Sequence, residues 1–253
     1  MYVNDVVRLN ELANEKETLA SNNPIKFMLR AMMAGFYLIV AIILSYSIGA
    51  LTQRISPELS KILTAMTFSI ALALISFLGG ELFTGNNLVM GISFFDKKTK
   101  ILGLLKVWAL SYLGNLIGSI IIGFIFIKSG SGKEIFPEYL ATIVNTKVSM
   151  TVVELLFKGI LCNFIVCIAV MCSVKMESEI GKMVAMFWLI FAFVLAGFEH
   201  SIANMGIFTL SYFTLGYLPW GGVLFNMLWV TIGNIIGGTI LYGGTLYLMK
   251  VEK

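Results

Sequence analysis

The sequence predicts an all-α integral membrane protein of six transmembrane helices, the second and fifth of them broken, and three observations carry that expectation. Of the 253 residues, 58% are hydrophobic and 13% charged, where a soluble domain carries about a quarter charged residues, and the mean hydropathy is +0.90. Apolar runs of about 20 residues recur along the chain, each long enough to cross ~30 Å of hydrocarbon as a helix. The two halves of the sequence also share ordered motifs, and two of the apolar runs are interrupted at matching places.

Residues 1–25 mix charged and apolar residues without a continuous apolar stretch, so they do not read as a cleavable leader. Tyr2, Val6, Leu9 and Ala13 recur at near-helical spacing and predict a short amphipathic helix at the cytoplasmic membrane surface before Pro24; a frayed polar tail is the alternative. The apolar spans follow as Phe27 to Leu51, Ile62 to Gly80 continuing to Phe95, Ile101 to Ile127, Val152 to Val174, Met183 to Gly197 continuing to Phe213, and Gly222 to Met249. Between the third and fourth, residues 129–151 read as a polar loop, and the whole chain reads as one membrane domain over 1–253. Two thirds of the 18 lysines and arginines fall in the N-terminal segment, the second and fourth loops and the C-terminus, which places both termini in the cytoplasm. Cys162, Cys167 and Cys172 lie in one apolar run at steps of five, with no CxxC, so neither a disulfide nor a metal site is indicated.

The repeat is the most informative feature. Glu81-Leu-Phe-Thr-Gly-Asn86 and Glu199-His-Ser-Ile-Ala-Asn204 both read E-x4-N, and Gly114-Asn-Leu-Ile-Gly118 and Gly233-Asn-Ile-Ile-Gly237 both read G-N-x-I-G at nearly the same displacement. A weaker match pairs the segment from Arg30 with that from Lys158. Three helices per half start on opposite sides of the membrane, so the repeat is expected to be an inverted 3+3 arrangement, a design that sets a pathway at the repeat interface.

Helix breaks in lipid leave backbone groups unsatisfied at several kcal/mol each, so they persist only inside protein or along a cavity. Each break here, after Gly79-Gly80 and Gly197, starts a half-helix whose N-terminal N–H groups carry partial positive charge, which suits an anion. Two glycine kinks satisfied by neighbouring helices are the simpler alternative. His200, the only histidine, lies at the second break, and imidazole changes charge near neutral pH; its placement favours a pore role over that of a plain core hydrogen-bonder. Glu81 and Glu199, with Asn86 and Asn204, are expected to brace the breaks structurally. Lys147 reads as a solvated loop lysine, Glu154 and Lys158 as an i,i+4 ion pair, and the two G-N-x-I-G segments as close-packing surfaces.

Phe83-Thr-Gly-Asn86, Lys158-Gly-Ile-Leu-Cys-Asn163, Gly197-Phe-Glu-His-Ser-Ile-Ala-Asn-Met205 and Gly233-Asn-Ile-Ile-Gly-Gly238 together resemble the formate/nitrite transporter family over nearly the whole chain. The resemblance implies an aquaporin-like fold, a homopentamer with one pore per protomer, and passage of formate, nitrite or similar ions. It implies that His200 is the central pore residue, with Lys147 and Asn163 as polar partners and Thr84 as a pore-lining hydroxyl. It further implies apolar constrictions from Phe68, Leu72, Leu82, Phe83, Val166 and Phe193. Within the family, overall likeness is greatest to the bacterial hydrosulfide channels.

The resulting expectation is a channel for small monovalent anions, hydrosulfide foremost, with formate and nitrite also candidates, in the lipid of a bacterial inner membrane. No cofactor, metal or nucleic-acid partner is expected. A proton-coupled symporter of weak-acid anions is the main alternative. An aquaporin-type neutral-solute channel ranks lower, because neither Asn86 nor Asn204 is followed by proline. An enzyme is not expected, since no HExxH or paired core carboxylates occur.

Overall fold

The computed structural model describes residues 2–250, and every element in it is helical. The order is α1 (Tyr2–Asn22), α2 (Pro24–Thr52), α3 (Pro57–Phe68), α4 (Ile70–Leu78), α5 (Phe83–Phe95), α6 (Ile101–Lys128), α7 (Phe136–Val148), α8 (Val152–Lys175), α9 (Glu179–Leu195), α10 (Ser201–Leu215) and α11 (Trp220–Ile235). A π-helical stretch (Ile236–Gly244) then runs on into α12 (Thr245–Leu248).

Among the described residues, five helical segments are long and apolar enough to cross a membrane: Pro24–Thr52, Pro57–Leu78, Ile101–Lys128, Val152–Lys175 and Trp220–Leu248. The fifth of the six expected spans is instead divided into α9, with 17 residues, and α10, with 15. Most of each crossing segment faces outward: only 33% of the apolar window in α6 is buried. Leu102, Leu224 and Leu248 stand exposed, an apolar exterior that requires lipid or apolar partners.

Several boundaries follow from local chemistry. Asn23 caps α2 by accepting from Lys26 N at 3.0 Å, with Pro24 at the first helical position where a missing N–H costs nothing. Ser56 and Pro57 start α3 in the same way. α8 opens with a capping box, in which Thr151 and Glu154 each bond the other's backbone N–H. That cap corrects the expected Glu154–Lys158 ion pair: the Glu154 carboxylate turns back to Thr151 N and Oγ1, each at 2.8 Å.

The expected loop 129–151 is also corrected, because it contains α7. Phe136, Leu140 and Val144 recur every four residues and are buried, and Pro137 sits in the first turn, so the stretch is an amphipathic helix packed on the core. The N-terminal segment is helical too, and Val6, Leu9 and Ala13 of its expected stripe are fully buried against the body; the side chain of Tyr2 lies outside the described residues.

Two tight pairings organise the bundle, α2 along α6 and α8 along α11. Gly118 lets α6 approach α2 so closely that a Cβ there would fall 2.2 Å from Met32 O, and Gly237 does the same against Ile160 O at 2.1 Å. The repeated glycine motifs are therefore backbone contact points.

Candidate functional site

The polypeptide leaves helical geometry between α4 and α5 and again between α9 and α10. Each first segment ends on a left-handed glycine, Gly79 (φ +80°) and Gly197 (φ +75°). Gly80 N and Phe198 N still reach back to Ile75 O at 2.9 Å and Phe193 O at 3.0 Å, and beyond them one asparagine in each case bonds the non-helical backbone. Asn115 donates to Ala31 O at 2.8 Å and Glu81 O at 2.9 Å and accepts from Phe83 N at 3.0 Å. Asn234 donates to Gly159 O at 2.9 Å and Glu199 O at 3.0 Å and accepts from Ser201 N at 2.8 Å. A backbone bond completes each set, Glu81 N to Arg30 O at 3.1 Å and Glu199 N to Lys158 O at 3.4 Å. Each bond of the first set, within residues 30–115, has a counterpart of the same kind in the second, within residues 158–234.

The carboxylates beside the breaks are bonded in matching fashion. Glu81 accepts from Lys16 Nζ at 2.5 Å and Asn86 Nδ2 at 3.2 Å. Glu199 accepts from Lys147 Nζ at 2.8 and 3.0 Å and from Asn204 Nδ2 at 2.7 Å. Both pairs are largely withdrawn from solvent, with side-chain exposures of 18% and 10% for the first and 12% and 4% for the second. Lys147 is thus no solvated loop lysine: it lies in the last turn of α7, and Asn226 holds its carbonyl at 3.0 Å.

His200 is the N-cap of α10, and its Nδ1 accepts from Ala203 N at 3.1 Å. An accepting Nδ1 carries no proton, so in this geometry the ring is neutral and its hydrogen resides on Nε2. Nε2 lies 2.9 Å from Thr84 Oγ1, which accepts that hydrogen and keeps its own hydroxyl proton to donate. The imidazole stacks on Phe193, centroids 6.1 Å apart.

Two cavities border this residue, and a third shares Leu72, Ile75 and Leu82 with the smaller of them. One, of about 430 Å³, is bordered by Lys147, Lys158, Glu199 and His200; we call it the first vestibule. A second vestibule of about 980 Å³ is bordered by Lys16, Arg30, Glu81 and Asn86. Between them lies a chamber of about 20 Å³, lined by Phe68, Leu72, Leu82, Val166, Phe193 and His200 among others. Phe68 and Phe193 meet edge to face there at 6.5 Å. That volume holds about one water-sized solute.

Other sequence-nominated residues sit apart from the chamber wall. Phe83 is buried between Trp108 and Tyr112. Thr84 is buried against His200. Asn163, fully buried on α8, donates to Thr84 O, Asn87 Oδ1 and Asn234 O at 3.3, 3.0 and 2.7 Å, tying α5 to α11. Sequence reasoning passed over Lys16, Arg30 and the clamping role of Asn115 and Asn234. The asparagine inside each glycine motif was the available signal for the last, since close packing alone has no use for an amide.

Two vestibules that converge on a constricted apolar chamber, inside a bundle with an apolar exterior, define a multi-pass membrane transport protein rather than an enzyme. The formate/nitrite transporter family model matches residues 6–248, and the chain belongs to that family. It is 34% identical to the nitrite transporter NirC of Escherichia coli (strain K12) over 89% of this chain and 84% of that protein. Among solved structures it is similar to an FNT family ion channel, with a TM-score of 0.91 and 29% identity over 98% of this chain and 99% of the other. It is also similar to a pentameric formate channel with formate bound, with a TM-score of 0.76 and 26% identity over 89% of this chain and 96% of that one.

Proposed function

We propose that the protein is a channel for small monovalent anions across a bacterial inner membrane, hydrosulfide first among them and formate and nitrite also carried. The chamber carries this reading: about 20 Å³ of apolar space with one histidine, set between two vestibules that each hold basic side chains. Nitrite and formate come from the relatives described above, and hydrosulfide from chemistry.

A bare anion loses its hydration on entering so narrow an apolar space, at a cost of many kcal/mol, while its neutral conjugate acid loses far less. A solute that takes a proton from vestibule water at the mouth of the chamber, beside His200, crosses the constriction neutral and returns the proton to water beyond it. Hydrogen sulfide is a weaker acid than formic or nitrous acid, so hydrosulfide converts most easily. Chloride stays charged and is refused. The same histidine in a coupled cycle would make a proton-coupled symporter, which a reversal potential under a pH gradient distinguishes.

The matching clamps support an inverted 3+3 repeat of aquaporin-like form, in which α9 and α10 together make the fifth crossing and the breaks lie at the bilayer midplane. The charge distribution supports cytoplasmic termini, with the Lys16 vestibule on the cytoplasmic side. The formate-bound neighbour supports a homopentamer, whose lipid-facing belt is the apolar exterior.

The test is flux into proteoliposomes from a panel of hydrosulfide, formate, nitrite, lactate and chloride. Hydrosulfide, formate and nitrite should pass and chloride should be retained; chloride moving as fast as hydrosulfide would refute a proton-assisted anion pathway. For topology, a cysteine at the exposed Ser131 should react with an impermeant thiol reagent in intact cells and one at the exposed Lys98 should not. The reverse pattern would invert the orientation.

A further inference from the structure

Lys16 and Lys147 stand closest to the breaks, yet each ammonium is held by a glutamate, Glu81 or Glu199. An ion pair acts on a passing anion as a dipole, whose field falls off faster than that of a lone charge. A second cation borders each cavity: Lys158 in the first vestibule and Arg30 in the second. Neither makes a salt bridge among the described residues. Lys158 Nζ has Met150 Sδ at 3.6 Å, a weak acceptor that an anion readily displaces. Glu154, one helical turn before Lys158, influences it only at longer range because its carboxylate closes the capping box.

Lys158 and Arg30 are also equivalent in the two halves. Each offers its carbonyl to the N–H of the glutamate at its own break, Lys158 O to Glu199 N and Arg30 O to Glu81 N. Their main chains are thereby fixed beside the breaks, and both residues border the cavities.

We propose that Lys158 and Arg30 are a matched pair of anion-recruiting sites, one per vestibule, each taking a single hydrated monovalent anion before it enters the chamber. This inference rests on the anion-channel reading. The two sites are unequal. The first vestibule is bordered by Lys61 and Lys147 besides Lys158, against Glu199. The second sets Glu11, Glu15 and Glu81 against Arg8, Lys16 and Arg30. A concave, partly dry surface with excess positive charge raises local anion concentration, so recruitment is stronger from the Lys158 side.

The experiment measures formate flux against concentration in proteoliposomes holding the full-length protein in one sorted orientation, with formate added on either side. Lys158→Gln should raise the half-saturating concentration from its own side by about fivefold, the worth of one charge at contact distance in a watery setting, with a smaller change in maximal rate. Its flux should also lose part of its dependence on added inert salt. Arg30→Gln should do the same from the opposite side with a smaller shift, and Lys158→Arg should restore the wild-type values. A fall in maximal rate with half-saturation and salt dependence unmoved would mark both residues as braces only and overturn the proposal. So would a shift of equal size from both sides. Wild-type protein that passes no formate, nitrite or hydrosulfide would instead overturn the channel reading itself.

Discussion

Asn234→Leu is expected to destabilise the protein by about 3–6 kcal/mol, the largest effect on stability of any single change at the site. Leucine fills much the same space but removes three hydrogen bonds, to Gly159 O, Glu199 O and Ser201 N. Each of the three backbone groups left without a partner away from water costs about 1–3 kcal/mol, and local relaxation keeps the total toward the lower part of that range. Asn234 is fully buried, so water cannot replace the lost partners. The unfolding temperature in detergent should fall by about 10 °C or more. Asn115→Leu should behave alike, because its bonds repeat the same pattern. A fall of less than about 2 °C in either variant would show that the breaks are held by something else.

His200→Phe should lower anion flux by more than about tenfold, equivalent to ~1.4 kcal/mol at the barrier, while the protein still folds. Phenylalanine keeps a ring stacked on Phe193 but loses both the cap to Ala203 N and the bond to Thr84. The lost cap costs about 1 kcal/mol of stability, which the fold tolerates. The lost Nε2 leaves the chamber walled by apolar groups with no titratable hydrogen-bonding partner. His200→Asn separates the roles, since asparagine is a good N-cap and still hydrogen-bonds but cannot titrate. That variant should pass anions with an altered pH response. If it matched the wild type in flux, selectivity and pH response, His200 would be a cap and nothing more. Circular dichroism and detergent unfolding of both variants separate misfolding from pore closure.

Much of this architecture could be read from the sequence because it is written in composition and in repetition. Five of the expected spans coincide with crossing helices to within a few residues. The contacts that hold the site are another matter. Lys16 meets Glu81, and Asn115 meets Ala31, across dozens of intervening positions, and no local periodicity encodes a partner so far away. α7 was missed because its apolar stripe is short and its other faces are polar, so it resembles a loop by mean hydropathy. Glu154 was misassigned because i,i+4 spacing is only one option for a carboxylate in a first turn, and a free backbone N–H at the cap competes for it.

Gly79 and Gly197 differ in kind from the glycines where α2 meets α6. At Gly118 the objection to a side chain is a neighbour; at the two breaks no atom stands within 4 Å of where a Cβ would be. What forbids one there is the residue's own backbone, at φ +80° and +75°. The penalty is therefore nearly blind to size and sensitive to which residues tolerate the left-handed region, about 1–2 kcal/mol for most and less for asparagine. Over evolutionary time such a position drifts along a path set by chirality: asparagine is its nearest permitted neighbour, and alanine, though smaller, lies further away.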